Sequence, residues 1–568
     1  MRKVTIALIT VAVLGVFGLV GATQAWAQVA DTVLVNGKIV TVDSGFSSRE
    51  ALAVRDGIIV AVGGSVDIRR MVGPKTRTID LQGRTVIPGL IDSHMHATRA
   101  ALSFSTEVNW IGATSLAEGL QRLHEASLKA KPGAWLIVVT PPATLETFKE
   151  RRRPTQAELV AAAPNHPVYL QLAYGWAMMT PLAFKALNIN SEADLPRQNR
   201  MEKDASGKPT GGITGNLIEL FDRLPKPTFD QQVEGTRAFF RELNRLGLAG
   251  VVDPGGNNVT PTEYQALFKV WRDGHLTLRV AYSLCGMTNG SEFEEYKNYL
   301  AMMPQGFGDG MLRFNGIGER ITWAMNGING KPADADKEKY YQIVRWAAER
   351  GMTITMHWNT DKNVDELLGT FERVNREFPI ASLRWTIAHL NDASPQTLKR
   401  MKALGIGWTV QDAMYNSGDE ILKQEGADVR RMPPVVTAKS LGLVIGAGTD
   451  AHRVSTYNPF TVLQWFLDGK NASGTTLRGS DETPSRADAL RFYTMGSAWV
   501  SHDEGRRGSL EVGKLADLAL LSKDYLTVPV EQVGSIESFL TMVDGKIVYA
   551  AGPYKHLEDG IASRTPTR

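Results

Sequence analysis

The chain has 568 residues, 43% of them hydrophobic and 22% charged, a globular composition that excludes collagen, wholesale disorder and a small disulfide-knotted fold. Lys and Arg number 63 against 60 Asp and Glu, so no nucleic-acid partner is expected, because dedicated binders carry a strongly basic domain. Cys285 is the single cysteine, which excludes an intramolecular disulfide and a Cys-rich zinc site.

At the start of the chain, Arg2 and Lys3 precede an apolar run from Val4 to Val20, and Ala25-Trp26-Ala27 follows as a small-x-small cleavage pattern. Residues 1–27 therefore read as a secretory signal peptide, and the protein as exported, periplasmic or secreted. The rival is an uncleaved anchor, since about 17 apolar residues is the lower edge of a spanning length. No other stretch is long and apolar enough to span, so no stable membrane span is expected after signal removal.

Asn36-Gly37, Asp56-Gly57 and Asp544-Gly545 each sit between apolar runs and predict three hairpins. Strands at both ends predict one small β domain built from residues 28–88 and 501–568. Between them, short β runs alternate with helical stretches: Ala249–Asp253, Leu278–Tyr282, Met352–His357, Arg384–His389, Ile406–Gln411 and Leu443–Asp450. The stretch Lys337–Arg350 predicts an amphipathic helix with a stripe of Tyr340, Ile343, Val344 and Ala347 and Asp336 as N-cap. Such alternation implies parallel βαβ units. A (β/α)₈ barrel over residues 89–500 fits that length only with an insertion, placed at about 97–230. The Arg151-Arg152-Arg153 run inside it reads as a solvated face.

The chemistry-bearing residues sit where β runs end. Val86 to Ile91 is apolar and leads into His94-Met95-His96, where alternation along a strand would turn both imidazoles to one face and Met95 to the other. His357, His389 and Asp450 each close an apolar run. In a (β/α)₈ barrel those ends converge on one mouth. Histidines there leave a divalent ion Lewis-acidic, and a nearby carboxylate can take a proton from activated water. Cys285, beside no His-rich segment, reads as inert packing.

The Val86–His96 run resembles the amidohydrolase superfamily, in the branch of metal-dependent hydrolases similar to N-substituted formamide deformylase (amidohydrolase family 3). Further matches are Gly207–Gly211, His357 with Asp361–Asp365, Arg384–His389, Gly448-Thr449-Asp450 and Gly508–Leu518. The resemblance implies a distorted (β/α)₈ TIM barrel with a small β-sandwich from both chain ends. It implies His94, His96, His357, His389 and Asp450 as metal-site residues, Asp450 also as catalytic proton acceptor, and a divalent metal, expected to be Zn²⁺, at one or two per chain. Many relatives place a carboxylated lysine at the end of the fourth strand; here Gly318 stands where lysine is expected. Glu319 then offers the bridging carboxylate, with an ion pair to Arg320 or Arg279 as the alternative. Relatives often have Asp-Gly-His where this chain has Tyr174-Gly175-Trp176. Tyr174, Trp176, Trp323, Trp358, Tyr415 and His452 are candidate substrate contacts, or else packing under long loops.

The resulting expectation is an exported hydrolase of a small molecule, cleaving a non-peptide C–N bond of an N-acyl or N-formyl amide. Ester, lactone or phosphoester hydrolysis with the same site is the alternative. A non-catalytic binding or regulatory protein on a hydrolase fold is the alternative of another class. Homo-oligomers remain open.

Overall fold

A computed structural model describes residues 29–140, 148–257, 259–326 and 332–559; the expected signal segment lies outside them. Eight strands form one parallel sheet in chain order: β1 (Leu90–Asp92), β2 (Leu248–Asp253), β3 (Arg279–Leu284), β4 (Leu312–Glu319), β5 (Ile354–Trp358), β6 (Thr386–His389), β7 (Gly407–Val410) and β8 (Ile445–Ala447). The two ends meet: the Ser93 N–H donates to the Ala447 carbonyl at 2.9 Å, and the Asp450 N–H to the His94 carbonyl at 2.8 Å. The result is a nearly closed, distorted TIM barrel whose strands bury both faces, which is why they read as apolar runs rather than alternating ones. The helix between β4 and β5 spans Asp334–Glu349 and buries the expected stripe of Tyr340, Ile343, Val344 and Ala347. Its N-cap is Ala333, so Asp336 lies within the first turn instead of capping it.

The run ahead of the His-x-His is two strands. Thr85–Pro88 belongs to a terminal sheet and β1 to the barrel, with Gly89 between. A Cβ at Gly89 would sit 2.4 Å from the Ala249 Cβ, so the chain crosses between layers where only glycine fits. The terminal segments build a four-stranded sheet from residues 32–80 and a six-stranded sheet that mixes both ends of the chain. Leu34, Leu52 and Ile79 of the first sheet pack with Val86, Leu520 and Leu540 of the second.

Two of the three expected hairpins form. Ala51–Arg55 pairs with Ile58–Gly63, and Ser538–Val543 with Lys546–Ala550. At both turns Asp and Gly take positive φ (51° and 75°, 56° and 72°), as a type I′ turn requires. Asn36-Gly37 is a correction. Only Asn36 has positive φ, at 59°, and Thr32–Val35 and Lys38–Val40 enter different sheets. The dipeptide turns a corner between layers.

Between β1 and β2 the chain builds a separate mixed six-stranded sheet from residues 107–215. Arg152 pairs there with Glu158, and the Arg153 guanidinium lies over the Trp176 ring at 4.5 Å, so the basic run is partly engaged. Among the described residues no helix is long and apolar enough to cross a membrane.

Two buried polar links tie this architecture together. Asp92 accepts the N–H groups of His94 (3.0 Å) and Thr449 (3.0 Å), stapling β1 to the segment after β8. At the opposite end of the barrel, Arg279 on β3 pairs with Asp517 at 2.7 Å and Asp544 at 3.0 Å, joining barrel to terminal sheets. Asp92→Ala strands two buried donors and should cost about 1–3 kcal/mol for each, read from denaturant midpoints; a loss below 1 kcal/mol would show that the seam does not need it. Arg279→Met leaves Asp517 charged and buried, and should cost about 3–5 kcal/mol in the same assay, whereas a neutral result would remove the pair as the joint.

Candidate metal centre and substrate cavity

β1 ends at Asp92, and His94 and His96 follow it in the turn before a helix at Ala97–Ser103. They are therefore beyond the strand, a correction to the in-strand alternation expected above, though both rings still reach the barrel mouth. Met95 turns into the core. The His96 Nδ1 lies 2.5 Å from the Gly255 carbonyl, which places a ring proton on Nδ1 and turns Nε2 toward the centre. That Nε2 faces Asp450 Oδ1 at 3.1 Å and Glu319 Oε1 at 3.3 Å. His94 Nε2 lies 3.1 Å from Glu319 Oε2 and 3.7 Å from Asp450 Oδ1. From the next strands, His357 Nδ1 and His389 Nε2 stand 3.4 and 3.9 Å from the same Glu319 Oε2. The structure brings all six expected metal-site residues to one mouth.

The local backbone explains how. Gly318 has φ 146°, and a Cβ there would meet the Thr355 carbonyl at 2.2 Å. A lysine cannot occupy this backbone, and the neighbouring Glu319 sends its carboxylate into the centre instead. The alternative partners of Glu319 are engaged elsewhere. Arg320 donates to the Gly286 carbonyl at 3.0 Å and lies over the Trp323 ring at 3.8 Å, while Arg279 serves Asp517 at the other end of the barrel. His389 and Asp450 take left-handed φ of 70° and 57°, a conformation that costs a non-glycine residue about 1–3 kcal/mol and persists only when its surroundings enforce it. Gln411 Oε1 accepts the His389 N–H at 2.9 Å and the Trp408 indole donates to the His389 carbonyl at 2.9 Å, while Asp450 is held by the His94 carbonyl.

Burial opposes ionisation of Glu319, yet the imidazoles of His96, His357 and His94 outweigh it and hold its carboxyl well below the usual range. Burial, followed by the neighbouring His357, pushes His389 down to about 3, so that ring is neutral and available as a donor to a cation. Both ring nitrogens of His94 and the Nε2 of His389 are buried without a hydrogen-bond partner. Orphaned imidazole lone pairs facing two carboxylates are the donor set a divalent cation satisfies. Two groups have ligand atoms mutually within 4.8 Å: His94, His96 and Asp450, and His94, Glu319 and His389. The residues fit a metal.

A cavity of about 240 Å³ opens over the centre, lined by His96, Glu319, His357 and Asp450 together with Arg99, Tyr174, Asn257, Arg320, Asn326 and Val454. Of the six candidate substrate contacts, the structure brings Tyr174 alone to this lining. Trp176 is buried in the insertion sheet. Trp358 is buried in the barrel core, because the residue after His357 on β5 points to the opposite face. Trp323 lies under Arg320 and donates to the Met287 carbonyl at 2.9 Å. Tyr415 packs partly buried against the core, and buried His452 pairs with Glu107 at 3.0 Å. Arg99, Asn257 and Arg320 were not expected at the lining. Arg99 follows His96 by three residues and Arg320 follows Glu319 directly, so proximity in sequence was the available signal; Asn257 had none. Cys285 is buried, with its thiol donating to the Gly318 carbonyl at 2.8 Å and pushed up to about 11 by burial.

The amidohydrolase family model matches residues 77–549. The chain is 25% identical over 556 residues to N-substituted formamide deformylase of Arthrobacter pascens, covering 92% of this chain and 99% of that one. An uncharacterized metal-dependent hydrolase from Pyrococcus horikoshii shares the fold with a TM-score of 0.65 at 22% identity, over 88% of this chain and 99% of that one. Atrazine chlorohydrolase TrzN from Arthrobacter aurescens, solved with zinc, shares it with a TM-score of 0.52 at 18% identity, over 91% and 95%. The family match runs through the barrel and every residue of the centre, and the chain belongs to the amidohydrolase family, as a metal-dependent hydrolase of carbon–nitrogen bonds other than peptide bonds.

Proposed function

We propose that the protein removes a formyl or other acyl group from the nitrogen of a small-molecule amide, at a centre of two zinc ions shared by His94, His96, Glu319, His357, His389 and Asp450. One observation carries the binuclear reading: the two oxygens of Glu319 face different histidines, Oε1 toward His96 and Oε2 toward His94, His357 and His389. A carboxylate so placed offers what a carboxylated lysine offers elsewhere, without needing carbon dioxide. When bound, the metal supplies Lewis acidity toward the amide carbonyl and toward water.

The chain's own residues do the remaining work. Asp450, about 18% exposed at the cavity mouth, takes the proton of the attacking water and hands it to the departing nitrogen. The likeness to the formamide deformylase favours nitrogen over oxygen as the leaving atom, because the centre itself activates water without choosing a leaving group. Zinc is favoured by the atrazine chlorohydrolase of the same fold, which was solved with zinc, and by a ligand set of imidazole and carboxylate. Residues 28–88 and 501–568 are proposed as one β-sandwich domain around a barrel of residues 89–500, and residues 1–27 as a removed export signal.

Elemental analysis of the purified protein should find about two metals per chain, falling in Glu319→Ala; one metal per chain, unchanged by that substitution, would overturn the bridge. On a panel of N-formyl amides, N-acyl amides, esters and phosphotriesters, formamides should be turned over fastest, and Asp450→Asn should lose about 10²–10⁴-fold. Bound metal without Asp450-dependent turnover of any compound would favour a binding protein.

A further inference from the structure

A second chamber, of about 120 Å³, lies between the barrel and the insertion sheet. Arg99, Tyr174 and Asn257 line both this chamber and the cavity over the metal centre, so the two hollows meet at those three residues. Leu102, Ile137, Ile218, Phe221 and Leu224 make much of its wall apolar, as a site for an apolar ligand body would be.

Its charges are matched, with one exception. Buried Glu107 pairs with His452 at 3.0 Å and Arg453 at 3.6 Å, and the Arg453 guanidinium stacks on the Phe221 ring at 4.0 Å. Asp222 lies 3.5 Å from Lys226, and Glu263 accepts the Thr260 N–H at 2.8 Å. Arg99 differs. Among the described residues it donates no hydrogen bond and meets no carboxylate; its Nε is buried and unpartnered, and its neighbour is the Tyr174 ring face at 5.8 Å. Gly256 stands between it and the centre: a Cβ there would lie 2.8 Å from His96 Nδ1 and 3.5 Å from Arg99 Nη1. A guanidinium that meets no carboxylate, with its Nε buried and unpartnered, at the neck of an apolar chamber beside the centre, is placed to take an anion. The planar fork of arginine matches a carboxylate in two parallel hydrogen bonds.

We propose that this chamber is the subsite for the amine portion of the substrate, which carries a carboxylate bound by Arg99 and an apolar body seated against Ile218 and Phe221. The assignment of the amine portion rests on the deacylase reading above, since a formyl group is too small to fill a chamber. The insertion sheet, which contributes Ile137 and Tyr174, thereby becomes a specificity element rather than a passive elaboration.

Formate release from N-formylphenylalanine, both enantiomers, and from N-formyl-2-phenylethylamine, which lacks the carboxylate, tests this in the metal-loaded enzyme. Wild type should favour the carboxylate in kcat/KM, and Arg99→Ala should cut that preference by about tenfold or more, with Arg99→Lys retaining part of it. Ile218→Trp, which fills the chamber, should lower the ratio of N-formylphenylalanine to N-formylglycine turnover. Calorimetric binding of 3-phenylpropanoate should weaken in Arg99→Ala. Formamide turnover whose ratios are moved by neither substitution overturns the subsite and leaves the deacylase reading standing. Arg99-dependent binding of 3-phenylpropanoate without turnover of any formamide supports the subsite and overturns the deacylase reading.

Discussion

One largely buried carboxylate among four imidazoles organises this protein. Glu319 lies 3.1 to 3.9 Å from ring nitrogens of His94, His96, His357 and His389. Removing a carboxylate from water costs several kcal/mol unless nearby cations or hydrogen bonds offset it. Much of the barrel is built to hold that arrangement. β4 threads glycine past the β5 backbone so that Glu319 can enter, and β6 and the segment after β8 adopt left-handed backbone at His389 and Asp450. Asp92 fixes the seam where the first and last strands meet. At the mouth, the left-handed backbone of His389 and Asp450 meets the unpartnered ring nitrogens of His94 and His389, which a cation would satisfy.

The other layers serve that end from a distance. The terminal sheets pack at the opposite end, joined through Arg279, Asp517 and Asp544, and keep a discontinuous domain registered on the barrel. The insertion sheet reaches to the mouth itself, where Tyr174 joins the cavity wall and buried Glu107 anchors His452, two residues after Asp450. Scaffold and specificity are thus divided between the two additions: one braces the barrel, the other shapes what enters it.

Much of the centre was legible in the sequence, for a physical reason. Parallel barrel strands are apolar on both faces, so a histidine or aspartate closing such a run is conspicuous. His357, His389 and Asp450 stood out that way, and Glu319 followed from the absence of lysine. What escaped was whatever depends on how separate segments meet. Asn36-Gly37 has the composition of a hairpin, but only the sheet layout shows that its flanks part. The His94-Met95-His96 run looked like a strand because Gly89 hides a change of layer. Trp358 shares β5 with His357 yet faces the opposite way, and Arg99 draws its interest from lacking a partner, which no local pattern reveals.

The central claim is that Glu319 stands between two metal ions. Crystals of the protein grown with zinc, measured at the zinc absorption edge, test it most directly. The account predicts two anomalous peaks about 3.5–4 Å apart, one on each side of the Glu319 carboxylate. A single peak ligated without Glu319, or zinc bound away from His94, His96, His357 and His389, would contradict it.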